Sequence, residues 1–592
     1  MTDFRSPLDD IRFALRHVAD VDSISAYEAY AHADTDMIDG LLDEAGRFFD
    51  EVVAPTNRDG DTAGTQWNAD GSVTTAPGFQ KAYRQLVEAG WTGIGFPSEY
   101  GGGGFPWVLN TALQEITNAA NMAFGLAPLL TQGAIEAIMH HGDETQRETY
   151  LEKLITGEWS GTMNLTEPHA GSDVGALSAK AEPADDGTWR ITGQKIFITW
   201  GEHDCADNII HLVLARTPGS PPGTKGITLF LVPKFLVNDD GSPGSRNDVR
   251  CVSIEHKLGI HGSPTCTMQY GDEGGAVGYM IGEEHQGMRC MFTMMNSARL
   301  SVGVQGLGIA ERAYQQALGY AHERTQGRAL GAEPGTDSPI VDHPDVQRML
   351  LDMKATVAAM RGLCYRNSAA LDHARQAADP DRRQAADELA ALLTPLSKSW
   401  CTDMGVELAS VGVQVHGGMG FVEESGAPQH YRDARILPIY EGTNGIQAMD
   451  LVGRKLGLRQ GGVVRDHLAT IAATIEALAA VDDLAIVHEH LTAAHAATVE
   501  ATDHLLGRHD DPADTLAAAT AYLDMLAVTT AAEGLAAGAL SAREAGDPIA
   551  DEAALLARFF ATSRLAVVPA RLAAVTAGGA DLREARASVF AN

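Results

Sequence analysis

The chain has 592 residues, 45% of them hydrophobic and 21% charged, a balance typical of folded globular proteins. This length exceeds what one hydrophobic core supports, so we expect several domains. The net charge of −34, from 78 acidic and 44 basic residues, excludes nucleic acid and anionic lipid as default partners, because their phosphates repel an acidic surface.

The predicted elements divide the chain into five consecutive parts: 1–35, 36–160, 161–282, 283–460 and 461–592. The first two parts and the last two carry apolar residues at three-to-four spacing, which predicts helices. In the third part, runs rich in β-branched and aromatic residues, such as Trp189–Thr199, predict strands. This order indicates an α+β protein that is mainly α, with a compact β domain between helical ones.

Cysteine usage and the apolar pattern bear on the cellular location. Six cysteines are scattered without the paired spacing of a zinc site, which favours reduced thiols in a cytoplasmic protein. The N-terminus lacks an apolar signal segment, and no apolar run approaches the roughly 18 residues of a membrane span. We therefore predict a cytoplasmic protein with no metal site and no membrane insertion.

Three segments could contact a bound ligand. Residues 163–175 combine small hydroxyls with a glycine-containing turn, which suits a polar ring edge or a phosphate. Residues 197–199, Phe-Ile-Thr, end a predicted strand. Residues 414–421 place three glycines within four positions, so the backbone can approach a bulky ligand closely. Taken singly, these segments are equally explained as a capped turn, a core strand and a helix C-cap.

A fourth segment, 432–447, contains a carboxylate in an apolar setting. Glu441 follows the run Ile436-Leu437-Pro438-Ile439-Tyr440 and precedes Gly442. An apolar environment raises the pKa of a carboxylate toward the range useful for a general base. On local evidence alone, a solvated loop carboxylate is the alternative.

With all four segments in this order, the chain resembles the acyl-CoA dehydrogenase family from about residue 36 to 455. Further matching segments are 255–263, 282–288 and 296–324. The longer chain is similar to a large subgroup with an additional C-terminal helical domain. That subgroup includes 3-(methylthio)propanoyl-CoA dehydrogenases and broad-chain acyl-CoA dehydrogenases of actinobacteria.

The resemblance implies the acyl-CoA dehydrogenase fold with an appended helical domain. Its expected parts are an N-terminal helical extension (1–35), an N-terminal α domain (36–160), a β-barrel-like middle domain (161–282), a four-helix C-terminal domain (283–460) and an additional helical C-terminal domain (461–592). It also implies FAD as cofactor, bound between the middle and four-helix domains. In the family the FAD contacts come from two subunits, so a homodimer or a dimer of dimers is expected.

The resemblance assigns roles to individual residues, with Glu441 as the catalytic base. The implied FAD contacts are Thr166, Ser172, Phe197, Thr199, Arg324, Gln326, Gln414, Gly417, Gly418, Thr443 and Asn444. The implied substrate contacts are Ser172, Asn296, Arg299 and Gly442. Thr166 would bond the flavin pyrimidine edge, and Phe197 and Thr199 would flank the ring. The group from Arg324 to Gly418 would bind the phosphates and adenosine.

Two positions depart from the family pattern. The family commonly has Arg-x-x-Phe-Gly at the position of Arg324, whereas this chain reads Arg324-Thr325-Gln326-Gly327-Arg328. This difference weakens the role of Gln326 in particular. Phe197 stands where a tryptophan often precedes the Ile-Thr pair; it keeps a stacking surface but loses the indole N–H donor.

The implied reaction is α,β-dehydrogenation of an acyl-CoA thioester to a trans-2-enoyl-CoA in fatty-acid β-oxidation, with an electron-transfer flavoprotein as acceptor. The thioester oxygen would be held by the Glu441 backbone N–H and a flavin hydroxyl. We expect a medium-to-long or broad chain range. The alternatives are 3-(methylthio)propanoyl-CoA as substrate, and an oxidase that passes electrons to O2. A DNA-binding flavoprotein is disfavoured, because residues 461–592 carry 18 acidic and 8 basic residues.

Overall fold

The computed structural model describes residues 4–508 and 511–591, apart from the side chain of Asn296. The chain divides into two compact units. Among the described residues, unit 1 comprises Ala45–Phe105 and Ala120–Ser301, and unit 2 comprises 4–44, Pro106–Ala119 and 302–591. The chain therefore passes from one unit to the other several times.

Helices occur in both units. In chain order they are α1 (Leu8–Phe13), α2 (Val21–Ser25), α3 (Thr35–Phe48), α4 (Thr56–Ala63), α5 (Phe79–Glu88), α6 (Trp107–His141), α7 (Glu144–Thr156), α8 (Gly287–Glu323), α9 (Pro344–Gln376), α10 (Pro380–His416), α11 (Ala427–Ala434), α12 (Asn444–Asp450), α13 (Gly462–Leu478), α14 (Ala485–Leu506), α15 (Pro512–Ala545), α16 (Ala550–Ser563), α17 (Leu572–Thr576) and α18 (Ala580–Ser588). Proline at the first turn opens α9, α10 and α15, where its missing N–H costs no hydrogen bond.

The strands all lie in unit 1. They are β1 (Gln66–Trp67), β2 (Val73–Thr74), β3 (Trp159–Asn164), β4 (Lys180–Pro183), β5 (Trp189–Thr199), β6 (Asn208–Arg216), β7 (Ile227–Pro233), β8 (Phe235–Val237), β9 (Pro243–Arg246), β10 (Val249–Ile254), β11 (Thr265–Tyr270) and β12 (Ala276–Ile281). The main sheet has the order β10-β11-β5-β12-β7-β6-β3. β4 pairs with both β5 and β6, so the strands β5, β12, β7, β6 and β4 close into a ring. This arrangement agrees with the barrel-like domain expected from the sequence.

The core of unit 1 lies between the strands of this sheet. β7 is buried along its whole length and β6 nearly so, which explains their continuous apolar sequences. β5 is only partly buried: its buried residues are Ile191, Lys195 and Ile198, and the others are more exposed. Ile191 and Ile198 of β5 join Phe230, Val232 and Met268 in one buried cluster.

Long helices build unit 2. α9 and α10 are joined by a short loop and pack against each other, and α15 and α16 pack on α9. Trp400 of α10 contacts Phe560 of α16 edge to face, with ring centroids 6.3 Å apart. The segment predicted as an additional helical domain thus shares a core with α9 and α10.

Two local features depart from the helical pattern predicted for residues 36–160. β1 and β2 form a hairpin around a turn in which Gly71, at φ 83°, donates to the Asn68 carbonyl at 2.9 Å. α6 is broken at Asn121, with φ −159° and ψ 99°. The Asn121 side chain accepts from the Phe124 N–H at 3.1 Å and so caps the second half of the helix.

Three helical segments of the described chain are long and apolar enough to cross a membrane by length and composition. They are Trp107–His141, Pro512–Ala545 and Ala550–Thr576. Their apolar windows are 89%, 83% and 44% buried inside the protein, respectively. Polar residues interrupt the apolar sequence of each segment, so none was predicted from uninterrupted apolar runs.

Candidate functional site

The loop that carries Thr166 is joined to the end of strand β5. It leaves β3 directly, and the Thr166 carbonyl accepts from the Ile196 N–H at 2.9 Å. The next residue, Phe197, is 58% exposed and adopts a left-handed backbone with φ 59°. Trp200, at φ 53°, turns the chain again and donates its N–H to the Pro264 carbonyl at 2.7 Å. These two departures from strand geometry expose the aromatic ring of Phe197 beside the Thr166 loop.

A buried ion pair fixes this loop. Lys195 Nζ lies 2.8 Å from Glu167 Oε1 and also donates to the Leu165 carbonyl at 3.0 Å. The Glu167 carboxylate further accepts from the Ser178 N–H and hydroxyl, at 2.7 and 2.8 Å, and from the Ala179 N–H at 3.0 Å. Both charged side chains are almost completely buried, so the loop conformation is strongly determined.

Burial and pairing act in opposite directions on this ion pair. Burial alone would raise the pKa of Glu167, but the Lys195 charge and the N–H donors outweigh it, and the pKa is lowered. For Lys195 burial is the larger effect, and it lowers the pKa to about 8 despite the Glu167 charge. The carboxylate therefore stays ionised next to the loop.

The side chains around Phe197 suit a flavin ring. Within the described part of the chain, the hydroxyls of Thr166, Ser172 and Thr199 make no hydrogen bond to protein. Three available hydroxyls beside an exposed aromatic face match a planar heterocycle with polar edges. Thr166, Phe197 and Thr199 thus lie at one strand end, with Ser172 on the adjoining loop, and their contacts with the flavin stay predictions.

Glu441 lies in a tight turn of unit 2 between Pro438 and helix α12. Its backbone is left-handed, with φ 54°, and Gly442 follows with φ 84°. The Asn444 N–H donates to the Pro438 carbonyl at 3.0 Å, which closes the turn. A non-glycine residue in this conformation costs roughly 1–2 kcal/mol, so neighbouring contacts must hold it. Glu441, a half-buried residue, thereby lies in a fixed turn.

The residues after Glu441 anchor the turn. The Thr443 hydroxyl caps α12 by accepting from the Ile446 N–H at 3.2 Å. The Asn444 side chain accepts from Lys398 Nζ at 2.8 Å and donates to Thr402 Oγ1 and Asp403 Oδ1 at 3.0 and 2.8 Å. Their predicted contact with the flavin stays a prediction; the contacts observed in unit 2 are structural.

Lys398 and Asp403 were not identified from the sequence. Lys398 is fully buried in α10, within the otherwise apolar and small-residue run Leu396-Ser397-Lys398-Ser399-Trp400. Burial raises the pKa of Asp403, whereas the Asn444 amide and the Lys398 charge lower it. A lysine on the apolar face of a predicted helix was the available signal, because a buried lysine needs a polar partner.

A second, exposed part of unit 2 contains the residues predicted for the FAD phosphates. Tyr320 near the end of α8 stacks on His416 at the end of α10, with ring centroids 4.4 Å apart. This contact brings two groups together: the Arg324 loop, and the turn after α10. The predicted residues are Arg324 and Gln326 on the loop, Gln414 in the last turn of α10, and Gly417 and Gly418 after it, all exposed. Arg324 donates to Gln326 Oε1 at 2.9 Å, and both glycines face open space.

Of the two predicted substrate contacts on α8, the structure describes the side chain of Arg299. Arg299 is only 4% exposed in unit 1. The side chain of Asn296 lies outside the described residues. Both assignments stay predictions.

Family models match almost the whole chain. The acyl-CoA dehydrogenase N-terminal domain matches residues 35–158, the middle domain 162–272 and the C-terminal domain 285–457, and a model described as acetyl-CoA dehydrogenase C-terminal like matches 467–586. A 3-methylmercaptopropionyl-CoA dehydrogenase of Ruegeria pomeroyi is 48% identical over 505 residues, which cover 85% of each chain. The chain belongs to the acyl-CoA dehydrogenase family.

Two further relatives of this acyl-CoA dehydrogenase are informative. The broad-specificity linear acyl-CoA dehydrogenase FadE5 of Mycobacterium tuberculosis is 35% identical over 477 residues, covering 79% of this chain and 78% of the relative. The crystal structure of an acyl-CoA dehydrogenase from Bacillus anthracis complexed with FAD superimposes with a TM-score of 0.69, at 23% identity and 86% coverage of both chains. The latter supports the fold alone. The dehydrogenase is an oxidoreductase with FAD as its cofactor.

Proposed function

We propose that this acyl-CoA dehydrogenase oxidises short acyl-CoA thioesters, with 3-methylmercaptopropionyl-CoA, also called 3-(methylthio)propanoyl-CoA, as its leading substrate. The observation that carries the proposal is the higher identity to the Ruegeria pomeroyi relative named for this substrate than to the broad-specificity relative. The medium-to-long or broad chain range expected from the sequence becomes the second candidate, which the similarity to FadE5 favours.

The Glu441 turn supplies the base. Dehydrogenation removes a proton from the α-carbon of the thioester. This task requires a carboxylate that is held in a fixed position. Glu441 fits it because its turn is closed by the Asn444 N–H and anchored on α10.

When bound, FAD supplies the acceptor for the hydride that leaves the β-carbon as the double bond forms. The chain's own contribution in unit 1 is to hold and shield that group. Phe197 offers a face for stacking, and the hydroxyls of Thr166 and Thr199 offer hydrogen bonds to polar edges. The Glu167–Lys195 pair keeps the Thr166 loop in place while the cofactor is oxidised or reduced.

We further propose an electron-transfer flavoprotein as the electron acceptor, a homodimeric or dimer-of-dimers assembly and a cytoplasmic location. The six cysteines are free thiols in the structure, which suits a reducing compartment. Activity on straight-chain substrates would place the enzyme in fatty-acid β-oxidation. An oxidase that passes electrons to O2 is the alternative acceptor chemistry.

The test is anaerobic flavin reduction by a panel of acyl-CoA thioesters. The panel contains 3-methylmercaptopropionyl-CoA, butyryl-CoA and straight-chain thioesters of increasing length. We expect the largest reduction rate constant divided by the dissociation constant for 3-methylmercaptopropionyl-CoA, with butyryl-CoA next. A maximum at medium or long chains would reject the substrate proposal in favour of the broad range. Reoxidation by electron-transfer flavoprotein, compared with peroxide formation in air, separates dehydrogenase from oxidase.

A further inference from the structure

The residue that precedes the base is held by a buried glutamine. The Tyr440 hydroxyl donates to Gln305 Oε1, and Gln305 lies on α8 with no exposed surface. Burial, together with the nearby Glu441 charge, raises the pKa of Tyr440 well above its ordinary value, so the hydroxyl stays a donor. The bond therefore connects the Glu441 turn to the core of unit 2.

Gln305 is itself fixed by a chain of hydrogen bonds that runs in one direction. Gln305 Nε2 donates to Asn118 Oδ1 at 3.3 Å, and Asn118 Nδ2 donates to the Gln114 carbonyl at 2.7 Å. Both amide groups use an oxygen and a nitrogen, so neither can rotate without losing a bond. Asn118 is also buried, which makes an unpaired amide costly.

Close helix packing places Gln305 at this position. Its neighbour Gly306 approaches the backbone of α10 so closely that a Cβ atom there would lie 2.4 Å from the Cys401 carbonyl. Gly303, two positions before Gln305, is equally close to α10: a Cβ atom there would lie 2.7 Å from the Ser397 carbonyl. The two glycines let α8 pack directly against α10. Gln305 lies between them, so the rigid helix backbone fixes the position of its side chain.

We propose that Gln305 is a positioning residue for the base: through the Tyr440 hydroxyl it holds Glu441 in its left-handed conformation. The inference rests on the proposed function, in which Glu441 takes the α-proton. Tyr440 is one residue before the strained position, so a bond on its side chain restrains the φ angle that strain would otherwise relax. Asn444 holds the other end of the turn, and the two anchors together prevent the turn from sliding.

Three variants test the proposal: Gln305→Met, which keeps the size but removes the acceptor, Tyr440→Phe, which removes only the hydroxyl, and the double variant. Each single variant should lower the rate constant of flavin reduction about 10-fold at saturating acyl-CoA, with the dissociation constant changed less than twofold. The double variant should be no slower than the slower single variant, because both remove one interaction. Additive losses, or single-variant rates within twofold of the native rate, would overturn the proposal.

Gln146→Met is the matched control. Gln146 is a buried glutamine whose amide bonds the Asp143 N–H and the Met280 carbonyl, at 3.2 and 2.8 Å, in unit 1. Its loss should lower the thermal midpoint while the rate constant per bound flavin stays native. An equal loss of rate in this control would show that the effect of Gln305→Met comes from general destabilisation, which would overturn the proposal. If Gln305→Met fails to fold, Tyr440→Phe alone carries the comparison.

A structural measurement separates this proposal from the proposed function. In crystals of Tyr440→Phe or Gln305→Met, residue 441 should leave the positive φ region or be found in more than one conformation. Retention of a single conformer near 54° would overturn the positioning role whatever the enzyme's substrate. Failure of every acyl-CoA to reduce the native flavin would instead reject the proposed function, and the φ of residue 441 would still decide the role of Gln305.

Discussion

The Thr166 loop is tied to strand β5 by a buried ion pair, whereas the Glu441 turn is tied to its helices through the neutral side chains of Tyr440 and Asn444. Tyr440 and Asn444 carry no charge of their own, so they hold the turn without placing an additional charge on it. Lys398, the cation near the turn, bonds the Asn444 amide oxygen. The anchor of the Thr166 loop is charged instead, and both of its side chains are buried. The difference predicts different consequences when each anchor is removed: a loss of stability at the Thr166 loop and a loss of rate at the Glu441 turn.

Removal of the base should give the largest effect. Glu441→Gln keeps the size of the side chain but cannot accept the α-proton, so the rate constant of flavin reduction should fall by about 10²–10⁴-fold. Anaerobic stopped-flow absorbance measures this rate, and the FAD content should remain native. Glu424→Gln, at an exposed carboxylate of the same unit, is the control and should react at the native rate. If the rate constant of flavin reduction in Glu441→Gln stayed within threefold of the native value, Glu441 would not be the catalytic base.

The charged anchor should show the next largest effect, on stability rather than on rate. Lys195→Met leaves the buried Glu167 carboxylate without its cation, which costs about 3–5 kcal/mol of unfolding free energy. Because the Thr166 loop loses its anchor, FAD should also dissociate more readily. Urea unfolding and FAD release on dilution measure the two quantities.

An exposed ion pair is the control for Lys195→Met. Arg250 and Asp272 pair across adjacent segments with side chains 61% and 36% exposed. Arg250→Met should therefore cost no more than about 1 kcal/mol. Equal costs for the two variants would show that burial does not set the strength of the anchor in unit 1.

The sequence predicted strand β5 and the Glu441 turn better than it predicted the residues that anchor them. The β-branched run of β5 and the glycine after Glu441 are local signals, and both segments lie where they were expected. Gln305 and Lys398 break the apolar face of long helices, and their partners Tyr440 and Asn444 lie far along the chain. Hydropathy cannot pair such residues, because the pairing depends on how the helices pack.

Short polar strands were also beyond the sequence pattern. β4 has the sequence Lys-Ala-Glu-Pro and carries one buried residue, so nothing in it predicts a strand. It forms because β5 and β6 both offer free edges, and its pairing closes the ring of strands. A register supplied by neighbours, rather than by its own residues, is invisible to a reading of periodicity.

A buried carboxylate that accepts hydrogen bonds from neutral donors extends the comparison to pH. Asp372 accepts from the Trp107 and Val108 N–H groups at 2.7 and 2.9 Å and from the Tyr30 hydroxyl at 3.0 Å. Burial raises its pKa from 3.8 to about 6, although these donors and Arg375 lower it in part. The native state thus keeps a proton between these pH values that the unfolded state has released.

The sign of the pH effect follows from that proton. Because the native state binds more protons, the contribution of Asp372 to stability is complete below pH 3.8 and is lost as the pH rises through about 6. The loss amounts to about 3 kcal/mol. Urea unfolding of native protein and of Asp372→Asn from pH 3.5 to 7.5 measures it as a falling difference. A constant difference would mean that the donors keep Asp372 ionised, as Lys195 does for Glu167.

The smallest effect tests whether strain at the Glu441 turn matters to the reaction beyond its cost in stability. Gly442→Ala places a Cβ at φ 84°, and Gly90→Ala places one at φ 74° where no other atom lies within 4 Å. Both should lower the unfolding free energy by about 1–2 kcal/mol, since the backbone penalty is the same. Only Gly442→Ala should also slow flavin reduction, by roughly 10-fold, because it displaces the adjoining base. Equal rates in the two variants would mean that the anchors at Tyr440 and Asn444 hold Glu441 even when its neighbour is strained.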